Sequence, residues 1–225
     1  MPEVIFTGPA GRLEGRYHPA KQKNAPIAMI LHPHPQFHGT MNHQIVYQCY
    51  YAFVHRGFSV LRFNFRGVSS PRGSSGGSFG EGVDEKHDLA AAMDLVVARR
   101  LPHPWLVGWS FGTEVVLKYG LEHPIDGAIL LSPPLHRATD AEISAWANSG
   151  KRLVAVIPEL DDYLRPTEAR QRFAVVPEID LVVVEGGKHL WVGESQTRRV
   201  LTEVVQRLNP AALPLPTSWP MAPRG

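Results

Sequence analysis

Five residues near the middle of the chain, Gly108-Trp109-Ser110-Phe111-Gly112, carry a pattern suited to covalent chemistry. A serine acts as a nucleophile when a tight turn lifts its hydroxyl clear of the backbone, and small residues two before and two after it let strand and helix approach. The context fits, because the apolar run PWLVGW (104–109) leads directly into FGTEVVLKYGLEH (111–123), strand into helix. The helix N-terminus also brings its positive dipole end to where an oxyanion would form. The competing reading is a close-packed strand–helix junction with an incidental serine.

A serine hydroxyl is inert at neutral pH unless a base takes its proton. Among 11 histidines, His189 stands out in VEGGKHLWVGE, after the last strand-like run, where Gly186 and Gly187 permit the turn that would swing an imidazole over the nucleophile. The base needs an acid to fix its tautomer. PELDDYLRP, following the run 152–158, offers Glu159, Asp161 and Asp162, and spacing alone does not separate the adjacent aspartates. Asp84, Asp126 and Asp140 precede strands or open helices and read as solvent-facing caps. Chain order is then Ser…Asp…His, the order of α/β-hydrolases rather than of the chymotrypsin or subtilisin plans.

The stretch LHPHPQFHGTMNHQ (31–44) crowds His32, His34, His38 and His43 together. A tetrahedral intermediate needs two donors, the N–H after the nucleophile (Phe111) and one from the loop after an earlier strand. Pro33 and Pro35 carry no N–H, so the second donor is His34, Gln36 or Phe37. A metal reading competes, since His32 and His34 at i, i+2 on an extended segment point the same way. No acid or cysteine lies nearby to complete a typical zinc set, and neither a metal nor a cofactor is expected.

These loops need a scaffold. At 225 residues the chain suits one α/β domain, burying about 70% of its unfolded surface. EVIFTG and LEGRYHP read as a hairpin around PAGR; strands at 26–33, 58–65, 104–109, 125–133, 152–158 and 179–187 then alternate with helices at 45–57, 84–100, 111–123, 140–150, 166–174 and 194–208. On the 84–100 helix, Leu89, Met93, Val96 and Val97 are assigned to the core face. Such alternation predicts a mostly parallel sheet covered on both faces, with ligands at the carboxyl ends of its strands. The Gly/Ser-rich stretch 66–82 reads as a loop. The proline-rich stretch 209–225, after a single domain at 1–208, reads as a tail open to disorder. Cys49 is the only cysteine, in an apolar run, and reads as a buried structural thiol. A formal charge of +2 with acids and bases interspersed gives no reason to expect nucleic acid or acidic lipid. With no secretory leader and no membrane-length apolar run, a soluble cytoplasmic protein is expected; no oligomeric state is indicated.

LHPHPQFHGTMNHQIV, VLRFNFRG, GWSFG, DDYLRP and GGKHLW together resemble the α/β-hydrolase superfamily, in particular its compact dienelactone-hydrolase-like group, over residues 26 to about 195. The resemblance implies an α/β-hydrolase fold with an N-terminal antiparallel hairpin and a minimal lid or none. It favours Asp161 as the acid, with Pro166 closing its turn, although Pro158 stands where glycine is common. Alignment of His32-Pro33-His34 with the superfamily's H-G-x points to the His34 main chain as the second donor. Dienelactone hydrolase itself has a cysteine nucleophile where this chain has Ser110, so its substrate is not implied. The 66–82 loop is also longer than the group's usual turn.

The expectation is therefore a serine hydrolase of a small acyl substrate, an ester or related compound. Ser110, Asp161 and His189 would be catalytic, and Phe111 and His34 would form the oxyanion hole. The short stretch between 133 and 152 leaves no room for a large cap, and Phe37, Trp109, Phe111, Trp191 and Trp146 are candidates to line an open pocket. A peptidase, thioesterase or C–C hydrolase would use the same residues, and a non-catalytic interaction protein on this scaffold is the alternative of another class.

Overall fold

The structure is a computed structural model, and it describes residues 3–70 and 73–215. β1 (Glu3–Gly8) and β2 (Gly11–His18) form the expected hairpin, followed by β3 (Ile27–Leu31), α1 (Gln44–His55) and β4 (Ser59–Phe63). The 66–82 loop contains a two-residue ladder, β5 (Ser69–Ser70) with β6 (Gly73–Ser74), before α2 (Glu85–Ala98). Then come β7 (Pro104–Trp109), α3 (Phe111–Tyr119), β8 (Gly127–Leu131), α4 (Asp140–Ser144), β9 (Arg152–Pro158), α5 (Pro166–Arg172), β10 (Asp180–Val184) and α6 (Glu194–Leu208).

The main sheet has eight strands in the order β1-β2-β4-β3-β7-β8-β9-β10. β1–β2 and β2–β4 are antiparallel, and the pairs from β4 to β10 are parallel. Because successive side chains of a strand point to opposite faces, each apolar run feeds two cores. Ile27, Met29 and Leu31 of β3 join Leu106, Leu89 and Val115 on the α2–α3–α5 face. Ala28 and Ile30 join Val107, Trp109, Phe53, Cys49 and Val204 on the α1–α6 face.

Several boundaries differ from the sequence expectation. α4 ends at Ser144: the N–H groups of Trp146 and Ala147 bond three residues back, to Ile143 and Ser144, and Asn148 and Gly150 then adopt left-handed backbone (φ 58° and 72°) that an α-helix cannot contain. Val97 is 57% exposed; one residue beyond the buried Val96, it has rotated off the core face of α2. The tail does not leave the fold at 209. Residues 210–212 form a 3-10 turn, Leu213 packs against the α1–α6 core and Leu215 is buried. The rest of that stretch, 216–225, lies outside the described residues, as do Pro71 and Arg72 of the glycine-rich loop. Among the described residues, no helix is long and apolar enough to cross a membrane.

Candidate active site

Ser110 stands between β7 and α3 with φ 51° and ψ −118°, a conformation a non-glycine residue holds only under surrounding constraint. The two glycines supply that constraint. A Cβ on Gly108 would sit 2.7 Å from the carbonyl of Gly112, and one on Gly112 would collide with the carbonyl of Leu31 at the end of β3. Strand, turn and helix therefore close on each other, and the serine hydroxyl faces outward.

From that turn a hydrogen-bonded chain runs through three side chains. His189 Nε2 lies 2.9 Å from Ser110 Oγ, and its Nδ1 lies 2.9 and 3.1 Å from the two carboxylate oxygens of Asp161. Asp161 is 1% exposed, and its Oδ1 also accepts the Tyr163 N–H at 2.8 Å, whereas Asp162 faces solvent. Adjacent residues at a strand end point in different directions, so one of the two aspartates reaches the imidazole. The Asp161 and His189 loops are tied together by the Leu160 N–H donating to the Gly187 carbonyl at 2.8 Å.

The histidine-rich loop is an anchored structure. His32 is fully buried, with Nε2 accepting the Phe65 N–H at 3.0 Å and Nδ1 2.6 Å from the Pro33 carbonyl. Burial holds its pKa down at about 3, so the ring stays neutral and joins the end of β3 to the end of β4. Asn64 Oδ1 accepts the Met41 N–H at 2.8 Å, and the buried Arg62 donates to the Met41 carbonyl at 2.5 Å. Gly39 lies so close to the Pro33 and His34 carbonyls that a Cβ would collide with both. The histidines do not converge. His43 packs edge-on against Trp109, His38 is exposed, and among the described residues no group of three or more His, Cys, Asp or Glu is arranged to hold a metal. Among the described residues the N–H groups of His34 and Phe111 have no intrachain acceptor.

A cavity of about 260 Å³ opens beside Ser110, lined by His34, Phe37, Phe111, Pro134, His136, Arg137 and Tyr163. Its 134–137 wall is pinned by Glu114 of α3, a fully buried carboxylate that accepts the N–H groups of His136 and Arg137 at 2.6 Å each. The glycine-rich loop is pinned too. Asp88 accepts the Arg66 N–H and its guanidinium (2.8 and 2.9 Å), and Glu85 accepts the N–H groups of Gly80 and Gly82 at 2.8 Å each.

Comparisons with known proteins place the fold. A family model described as serine aminopeptidase, S33, matches residues 35–196. A protein of unknown function from Agrobacterium tumefaciens, described as an alpha/beta hydrolase, is 36% identical with a TM-score of 0.80, covering 96% of this chain and all of its own. The chain belongs to the α/β-hydrolase superfamily.

Within it, an alpha-beta serine hydrolase homologue from Coxiella burnetii is 26% identical (TM-score 0.79, 92% and 97% of the two chains covered). The fold is also that of a lidless a/b serine hydrolase from Xanthomonas campestris, at 23% identity and TM-score 0.77 over 96% of each chain. An uncharacterized Rickettsia prowazekii protein is 42% identical over 139 residues, 60% of this chain and 57% of that relative's length.

Three pocket expectations for this hydrolase-fold chain are corrected. Trp109 and Trp191 are each 1% exposed and belong to the α1–α6 core, because strand alternation turns Trp109 to the face opposite the cavity. Trp146 is likewise core, its indole N–H donating to the Leu117 carbonyl at 3.0 Å. Trp109 still serves the site, because its indole N–H donates to the His189 carbonyl at 3.2 Å, alongside the Ser132 hydroxyl at 3.1 Å. Sequence reasoning missed Glu114, His136, Arg137 and Tyr163. A carboxylate directly before Val115, Val116 and Leu117 in a core helix was the available signal for Glu114, since a buried charge demands partners.

Proposed function

We propose that the protein is a serine hydrolase that cleaves small esters through an acyl-enzyme. With Nδ1–H held toward Asp161, His189 presents the Nε2 lone pair to the Ser110 hydroxyl. Ser110 Oγ bonds to the ester carbonyl carbon while its proton passes to His189. The oxyanion takes the N–H groups of Phe111 and His34, which cost no reorganisation because both loops are anchored. The C–O bond then breaks, the alcohol leaves with the proton from His189, and a water molecule, deprotonated by the same ring, releases the acid.

The observation that carries this reading is the unbroken Ser110–His189–Asp161 hydrogen-bond chain opening on a cavity. The family description raises aminopeptidase activity as the second reading. The cavity lining disfavours it: no carboxylate among the lining residues would receive a protonated amino terminus, and the Arg137 guanidinium would repel one. Turnover of p-nitrophenyl acetate and butyrate, measured beside amino-acid p-nitroanilides and acyl thioesters, tests the choice. Ester hydrolysis should dominate and vanish in Ser110→Ala, whereas anilide cleavage without ester cleavage would favour the peptidase.

A further inference from the structure

We propose that the His34 and Arg137 side chains form an anion subsite in the cavity, selecting acyl groups that carry a carboxylate a few bonds from the scissile carbonyl; this rests on the ester-hydrolase reading above. The starting point is a mismatch of donors. His34 Nδ1 lies 3.3 Å from the Gln36 N–H, and a neutral imidazole accepts at only one of its two nitrogens. The other ring nitrogen, Nε2, lies 3.3 Å from Nη2 of Arg137, a second donor with no lone pair to offer. Whichever tautomer the ring adopts, one of the two donors is left without a ring acceptor, and of the two only the Arg137 guanidinium lines the cavity, where a substrate oxygen can meet it.

Packing fixes the ring and the base of the arginine. The His34 ring is wedged among Phe37, Phe79 and Phe111, with centroids 4.8, 4.7 and 5.2 Å distant. Arg137 is held at its main chain by Glu114 and lies over the Phe111 ring at 5.7 Å. Burial, reinforced by the Arg137 charge, lowers the His34 pKa and keeps the ring neutral.

The guanidinium is the one full charge among the lining residues, and its own counter-ion is loose. The Glu81 carboxylate lies 3.7 Å away and is 73% exposed, a geometry in which an ion pair contributes little. A carboxylate matches the guanidinium fork, and charge-assisted hydrogen bonds of this kind are strong. The position sets the spacing. The His34 main chain is assigned to the oxyanion and its ring to the subsite, so the two substrate oxygens bound by one residue must be a few bonds apart. A half-ester of a short dicarboxylic acid has this form and fits about 260 Å³.

The test compares monoethyl glutarate with ethyl pentanoate by ethanol release, and measures glutarate binding by calorimetry. In the wild type, kcat/KM should favour the anionic ester by about tenfold or more. That ratio should collapse toward one in Arg137→Gln, folding being checked by circular dichroism, and should rise in Glu81→Gln. Glutarate should bind the wild type and bind Arg137→Gln at least about tenfold more weakly. Equal turnover of both esters with no Arg137-dependent glutarate binding overturns the subsite and leaves the hydrolase standing. Arg137-dependent glutarate binding without turnover of either ester sinks the hydrolase reading and leaves the subsite.

Discussion

The two ends of the parallel sheet each carry a cavity, and the larger one is at the end without the chemistry. Where the strands begin, about 510 Å³ is lined by Pro26, His103, Trp105, Asp126, Gly150, Lys151, Arg152 and Leu208. Its polar groups are surface groups: His103 and Asp126 lie 2.7 Å apart with 62% and 46% of their side chains exposed. Where the strands end, the cavity is half that volume, yet it is framed by buried carboxylates, Asp161 and Glu114, each accepting backbone N–H groups. Volume does not mark the site; buried polar groups with fixed partners do, because holding a charge out of water is worthwhile only where its position matters.

The comparison breaks most readily at Ser110. Ser110→Ala should lower kcat for ester hydrolysis by ~10⁴-fold or more while leaving the unfolding transition unmoved. Asp161→Asn should cost ~10³- to 10⁴-fold by disturbing the His189 tautomer, and Asp162→Asn, on the exposed neighbour, less than about threefold. Comparable losses in the two aspartate variants would overturn the assignment.

A smaller effect belongs to the anchor of the oxyanion loop. His32 is neutral when folded down to about pH 3, but protonates near 6.5 once unfolding releases it. Between those values the unfolded chain binds the extra proton. The stability contributed by the buried neutral ring is thus complete above pH 6.5 and is lost as pH falls toward 3, by up to about 1.4 kcal/mol per unit. In His32→Asn the slope of unfolding free energy against pH should flatten by about one proton, as read from urea titrations across that window.

Glu114→Gln replaces an acceptor of two N–H groups with an amide, and should lower stability by about 1–3 kcal/mol and raise KM as the 134–137 wall loosens. At the opposite end, Lys151→Gln should change kcat/KM by less than about twofold and stability by less than about 0.5 kcal/mol. A large loss of activity there would mean that the bigger cavity takes part after all.

Much of this was legible in the sequence because the signals were local. Strand runs, the glycines around Ser110 and the two prolines of the histidine loop each constrain a few neighbouring residues. The strand alternation that buries Trp109 was legible as well, but an aromatic beside a nucleophile invites a pocket role when the opposite core is not in view. The partners of Glu114, and with them the places of Arg137 and Tyr163, were not readable, since they lie far along the chain, 23 residues away for the Glu114 contact with Arg137. The early end of α4 lies in a change of backbone hydrogen bonding after Ser144 and left-handed backbone at Asn148, which side-chain periodicity does not report.

The most direct measurement of the central claim is covalent labelling of the folded protein with a fluorophosphonate, followed by peptide mass spectrometry. A single adduct on Ser110, slowed strongly in His189→Ala and in Asp161→Asn, is the expected result. A folded wild-type chain that takes no label, or takes it on another serine, would contradict the assignment of Ser110 as the nucleophile.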